Sequence, residues 1–128
     1  MKIAATIARF LLGLTFLFFG SNGLFHFLPT PPIPPGPLAD FTRALAVSHY
    51  DVAIGAFQVA PAILLLANRY VPLALTVLAA MIVNIDLTHI TMAPSGLPLA
   101  GVVSILWLLV FLRVRSNFRG IFEPAPQR

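Results

Sequence analysis

Residues 7–28 read IARFLLGLTFLFFGSNGLFHFL, an apolar run in which Arg9 is the only lysine, arginine, aspartate or glutamate. A transmembrane helix needs about 20 mostly apolar residues to cross the roughly 30 Å of hydrocarbon in a bilayer. This run has that length, and Arg9 lies close enough to its start for the guanidinium to reach the membrane interface. The stretch therefore predicts a helix that crosses a membrane, and the rest of the chain is interpreted on that basis.

The composition of the whole chain agrees with a membrane protein. Of its 128 residues, 59% are apolar and only 9% are charged, whereas soluble domains carry about 25% charged residues. So little charge cannot cover a water-facing surface. The chain has no cysteine, which excludes thiolate nucleophiles, cysteine-ligated zinc and iron–sulfur clusters.

Three further apolar runs predict three further spans. The prolines that follow residue 28 end the first helix, because proline lacks an N–H and fixes φ. In chain order, the predicted segments are a span at 7–28, an outer proline-rich connector at 29–46, spans at 47–67, 71–90 and 98–112, and a basic tail at 113–128. Since backbone polar groups find no water in lipid, we expect a single all-α domain over 1–128, a membrane four-helix bundle.

The basic residues lie almost entirely on one side of this topology. The other side carries only Arg43, accompanied by Asp40. The basic side carries Lys2, Arg9, Arg69, Arg113, Arg115, Arg119 and Arg128. The positive-inside rule then predicts that both termini are cytoplasmic in a cell (inner or plasma) membrane. Because these residues stand at the ends of spans, the expected partner is membrane lipid and not nucleic acid.

Small residues indicate where two of the helices approach each other closely. They are Gly13, Gly20 and Gly23 in the first span, with Gly55 and Ala62 on one face of the second. Helices in membranes use such positions for close backbone contact.

Polar side chains within or at the rim of the apolar runs are the candidates for a site, because their burial in lipid is costly. The candidates are Asn22, His26, Asp51, Gln58, Asn84, Asp86 and His89. Their helical spacing puts Asn22 with His26, Asp51 with Gln58, and Asp86 with His89 on shared faces. All seven fall in the middle or the outer half of their spans, and the pattern assigns no catalytic residue.

Three hypotheses account for these polar residues. A pocket inside the bundle would bind an organic ligand such as a quinone, with histidine, amide and carboxylate groups that bond to its oxygens. Alternatively, His26, Asp86 and His89, with Asp51 as a further ligand, would hold a divalent metal ion. In the third hypothesis, the groups form an interhelical network that fixes how the helices pack.

Four segments of the chain resemble the DoxX-like family of small membrane proteins. These are 9–23 at the opening of the chain, GAFQV at 55–59, the turn NRYVPLA at 68–74, and VNIDLTH at 83–89. The order and spacing of the four segments carry the resemblance, which covers about residues 9–112. It implies a four-helix membrane bundle, the architecture that the apolar runs predict independently.

On function, the resemblance implies a link to membrane redox systems, since the family includes small subunits of thiosulfate:quinone oxidoreductases. The leading hypothesis is an accessory redox subunit with an outward-facing polar pocket for a quinone. A protein partner, or a second copy of the chain, is expected in the membrane. The alternatives are a non-catalytic scaffold or assembly factor and a small carrier for a solute on the outer side.

Overall fold

The computed structural model describes residues 2–125, so Met1 and the end of the predicted tail, including Arg128, lie outside the described residues. The described part is helical and contains no strand, which confirms the all-α class. Its helices are α1 (Lys2–Phe25), α2 (Pro37–Val47), α3 (Tyr50–Leu66), α4 (Val71–Thr91) and α5 (Leu97–Val114), with short 3₁₀ helices at Pro94–Gly96 and Arg115–Phe122.

The first helix lies earlier in the chain than predicted, at 2–25 instead of 7–28. It ends at Phe25 because His26 adopts a left-handed conformation, with a φ of 51°. The Asn22 side chain holds this ending in place, since its Oδ1 accepts a hydrogen bond of 2.8 Å from the Leu28 N–H.

The largest difference from the predicted segments lies between α2 and α3. The connector, predicted as a proline-rich segment at 29–46, contains a helix of 11 residues. The second span was predicted to begin at residue 47, whereas α3 begins at Tyr50. The backbone turns at His49, which has a φ of 61°, and α2 meets α3 at an angle of 83°.

Three stretches are long and apolar enough to cross a membrane on their own: Lys2–Phe25, Val71–Thr91 and Pro94–Phe122. α2 and α3 meet the same criterion only as a bent pair, which would make a fourth span. α3 alone has 17 residues, a length of about 26 Å at the helical rise. The helices therefore indicate a membrane protein with three or four candidate spans.

The four long helices form a closed ring. α1 packs against α3 and α5, and α4 packs against the same two helices. α4 and α5 are antiparallel, because Trp107 Nε1 of α5 donates to the Leu75 carbonyl of α4 at 2.9 Å, whereas Asp86, later in α4, contacts Ser104, earlier in α5. We call the end where α1 and α4 begin the Arg9 end, and the opposite end, with α2 and the 92–96 turn, the His26 end.

α1 and α3 make the closest contact in the ring. A Cβ atom built on Gly55 would lie 2.7 Å from the Gly20 carbonyl oxygen and 3.2 Å from the Gly23 carbonyl carbon. A Cβ atom on Gly13 would lie 2.9 Å from the Leu66 side chain and 3.4 Å from the Ala62 carbonyl oxygen. The prediction that these small residues allow close approach is thus confirmed.

Apolar side chains cover the outside of the ring as well as its core. Leu12, Leu65, Leu75 and Leu78 are completely buried. On the outward faces, large apolar side chains are more than half exposed, among them Leu14 (53%), Leu73 (56%) and Ile105 (59%). An apolar surface of this extent is typical of a helix bundle that is surrounded by lipid.

Candidate functional site

The seven candidate residues separate into a cap, two interhelical hydrogen bonds and one cavity. Asn22 is the cap: its side chain accepts from the Leu28 N–H, and its carbonyl accepts from the His26 N–H at 2.7 Å. These contacts complete the end of α1. Asn22 therefore has a structural role in the loop that leaves α1.

His26 and Asp51 join the end of α1 to the start of α3. His26 Nε2 lies 2.8 Å from Asp51 Oδ2, and the two side chains are 60% and 21% exposed. The second carboxylate oxygen, Oδ1, accepts a hydrogen bond of 2.9 Å from the Val52 N–H. Both oxygens of Asp51 thus have partners within the protein, and the pair fixes the packing of α1 on α3 at this end.

Asp86 faces α5, where Ser104 Oγ lies 2.9 Å from Asp86 Oδ2. Ser104 Oγ is also 3.0 Å from the carbonyl of Ala100 in its own helix. Sequence reasoning did not include Ser104. The contact could have been inferred from the position of Ser104, because Asp86 and Ser104 are equally distant in sequence from Ser95, which lies in the turn between two antiparallel helices.

We expect a measurable coupling between Asp86 and Ser104. In a double-mutant cycle with Asp86→Leu and Ser104→Ala, the coupling energy should be about 0.6 kcal/mol, with an upper bound of about 1.7 kcal/mol, as for other hydrogen bonds between membrane helices. The free energy of unfolding in mixed detergent micelles is the measurement. Asp86→Asn, which keeps an acceptor, is the control and should retain most of the coupling; strictly additive effects would show that the bond contributes nothing.

Gln58, Asn84 and His89 come together on the wall of a cavity of about 350 Å³ between α2, α3 and α4. Tyr50 and Thr88 add polar atoms to this cavity. The apolar part of the lining consists of Phe41, Leu45, Ile54, Met81 and Ile85. We call this space the α2–α4 cavity.

The hydrogen bonds within the wall leave some polar atoms of these three side chains without a partner among the described residues. His89 Nδ1 is 2.7 Å from the Ile85 carbonyl, and because a carbonyl only accepts, Nδ1 carries the hydrogen and Nε2 is left over. Asn84 Nδ2 donates to the Ala80 carbonyl at 2.8 Å, which leaves its Oδ1. Within residues 2–125, the Gln58 amide has no hydrogen-bond partner. None of the three side chains bonds to another helix.

A second cavity, of about 260 Å³, lies on the other side of Gln58 and His89. It is bounded mainly by apolar residues of α1 and α5, among them Phe16 and Val103. Gly96 and His89 both line this cavity, and they lie so close together that a Cβ atom at Gly96 would overlap the His89 ring. Gln58 and His89 thus form a partition between two cavities, and Gly96 sets where the ring can lie.

In the part of the chain that the structure describes, no three histidine or acidic side chains are placed to hold a metal ion. His26 is paired with Asp51, Asp86 with Ser104, and His89 with the Ile85 carbonyl. The geometry therefore gives the metal hypothesis no support.

Apart from Gln58, Asn84 and His89, the residues that line the α2–α4 cavity were not among the candidates, and some of them have a sequence signal. Thr88 follows Asn84 by one helical turn, so the two share a face of α4. Phe41 and Leu45 are likewise four residues apart on α2. The sequence indicates which residues share this face of α2. It does not indicate that the face lines the cavity, because the angle at which α2 meets the bundle does not follow from its sequence.

Comparisons of the chain with protein-family models, with curated proteins and with solved structures found no match. The DoxX-like resemblance therefore stays a prediction, and the geometry of the cavity carries the functional argument.

Proposed function

We propose that this protein is a multi-pass membrane protein that binds a quinone head group in the α2–α4 cavity, as an accessory subunit of a membrane redox system. The observation that carries the proposal is that Gln58 and His89, each with a polar group that has no partner among the described residues, lie together on the wall of an otherwise mostly apolar cavity. Small-molecule sites typically have volumes of about 300–1,000 Å³, apolar linings and a few placed polar groups. The cavity has each of these properties.

The polar atoms match the needs of a quinone and its reduced form. The Gln58 NH₂ group can donate to a quinone carbonyl, which accepts only. His89 Nε2 can accept from the hydroxyl of the reduced ring. Phe41, Ile54 and Met81 supply apolar contacts for the ring. The chain thus holds and orients the head group, and the redox centre that exchanges electrons with it is assigned to a partner protein.

The position of α2 gives a lipid-soluble ligand a way in. α2 is nearly perpendicular to α3, and Phe41 and Leu45 on one of its faces line the cavity. Asp40 and Arg43 are exposed. An amphipathic helix with this geometry is typical of one that lies along the membrane interface. A quinone dissolved in the bilayer would then enter beneath α2.

The proposal includes an orientation in a cell (inner or plasma) membrane, with the Arg9 end and both termini in the cytoplasm. The concentration of basic residues at that end supports this orientation, because cytoplasmic loops carry an excess of lysine and arginine. Arg43 on α2 is the exception. With α3 as the fourth span, α2 and the α2–α4 cavity face outward.

The experiment measures binding of a short-chain ubiquinone to the purified protein in detergent micelles. Gln58→Leu and His89→Phe should each weaken binding about ten-fold, the equivalent of one hydrogen bond of roughly 1.4 kcal/mol. Thr76→Val is the matched control, because Thr76 is exposed on α4 and bonds only to its own helix. Its binding should equal that of the wild type.

A second candidate function, a scaffold or assembly factor, is favoured by the two interhelical bonds, His26–Asp51 and Asp86–Ser104. It predicts that the wild-type protein binds no quinone, or that binding is unaffected in both Gln58→Leu and His89→Phe. Either result would reject the quinone proposal. The role of the polar residues would then be to form the bonds that hold the helices together.

A further inference from the structure

The Arg9 end of the bundle contains a cavity of a different chemical kind, with a volume of about 430 Å³. It lies between the start of α1, the turn before α4 and the end of α5. Three basic side chains line it, Lys2, Arg9 and Arg113, together with the polar side chains of Asn68 and Asn117. No acidic residue is among the described residues that line it.

Arg9 is held at the cavity wall by the end of α3. Its Nη1 donates to the carbonyls of Leu65 and Leu66, the last two residues of α3, and the Leu65 carbonyl also accepts from the Asn68 N–H. A guanidinium has five N–H groups, so the hydrogens on Nε and Nη2 remain after these contacts. Arg9 therefore presents a fixed cation with unused donors, and little side-chain entropy remains to be lost when an anion binds.

The other two cations have no acidic partner either. Within residues 2–125, Lys2 and Arg113 form no ion pair, and both side chains are exposed. Three positive charges around one cavity repel one another unless an anion lies between them. The amide groups of Asn68 and Asn117 add neutral donors of the kind that complete a phosphate site.

We propose that this cavity binds a phosphate group, with Lys2, Arg9 and Arg113 as its cationic ligands. Two sources share this chemistry: the head group of an anionic phospholipid and a free phosphate anion. Basic pockets between membrane helices are a known setting for phospholipid head groups. The site is independent of the α2–α4 cavity, which lies at the opposite end of the bundle.

The test titrates the full-length protein in uncharged detergent micelles with phosphatidylglycerol, with phosphatidylcholine and with inorganic phosphate, and measures binding by calorimetry. The variant is the double substitution Lys2→Gln with Arg113→Gln, which leaves Arg9 on its α3 carbonyls. Each basic residue near an anionic group contributes about a factor of five, so the double variant should bind about 30-fold more weakly. Arg43→Gln, which removes one positive charge at the His26 end, is the control and should bind as the wild type does.

The three ligands distinguish the source of the phosphate. Binding of phosphatidylglycerol but not phosphatidylcholine, with the loss in the double variant, supports the site and assigns it to lipid. Binding of inorganic phosphate alone, with the same loss, supports the site and assigns it to a free anion. The proposal is overturned if the wild type binds neither, or if Arg43→Gln weakens binding as much as the double variant does.

Discussion

Replacement of Gly55 by leucine is expected to separate α1 from α3 and to lower the free energy of unfolding by at least about 3 kcal/mol, the upper end of the range for overpacked cores. A Cβ atom at this position would lie 2.7 Å from the Gly20 carbonyl oxygen and 3.2 Å from the Leu24 nitrogen. These are backbone atoms, which cannot move aside as a side chain does. The helices must therefore move apart, and the His26–Asp51 bond at the same end is lost with them.

Gly101 is the matched control for Gly55. It is also a helical glycine, but a Cβ atom there meets nothing within 4 Å. Gly101→Leu should change stability by less than about 1 kcal/mol, in the direction of stabilisation, because leucine has the higher helix propensity. Unfolding in mixed detergent micelles, followed by circular dichroism, gives both values. Equal effects of the two substitutions would show that α1 and α3 do not approach each other as described.

The long helices and the contact between α1 and α3 could be predicted because they depend on local features of the chain. Long apolar runs require helices in lipid, and the glycines of the first two spans marked the contact between α1 and α3. The break between α2 and α3 could not be predicted. It depends on a left-handed conformation at His49. Histidine adopts this conformation more often than most residues, but still in a small minority of cases, so its presence does not mark the turn.

The candidate site was predicted in part, because helical spacing identifies shared faces but not the helix that each face meets. Asp86 and His89 were grouped because they are three residues apart, yet on a helix this spacing leaves about 60° between them. That angle directs Asp86 to Ser104 on α5 and His89 to the partition between the two cavities. Asn84, by contrast, lies off the Asp86 face and reaches the α2–α4 cavity with His89.

Replacement of Gly96 by alanine is expected to displace the His89 ring and, with it, the acceptor that we assign to the quinone site. The added Cβ atom would overlap the ring, and the ring is tied on its other side by the bond from Nδ1 to the Ile85 carbonyl. The ring must therefore rotate away from this bond or shift toward the α2–α4 cavity. Quinone binding should weaken by about ten-fold, as in His89→Phe, because one hydrogen bond is lost.

Nuclear magnetic resonance of protein with isotope-labelled histidine separates this local effect from a general loss of structure. The chain has three histidines, and only the resonances of His89 should move in Gly96→Ala, while His26 keeps its bond to Asp51. Gly120→Ala is the control, since a Cβ atom at Gly120 meets nothing within 4 Å. A spectrum in which His89 is unchanged would show that Gly96 does not confine the ring. If the His89 resonances shift but quinone binding is unchanged, the contact between Gly96 and the His89 ring is supported and His89 does not belong to the quinone site.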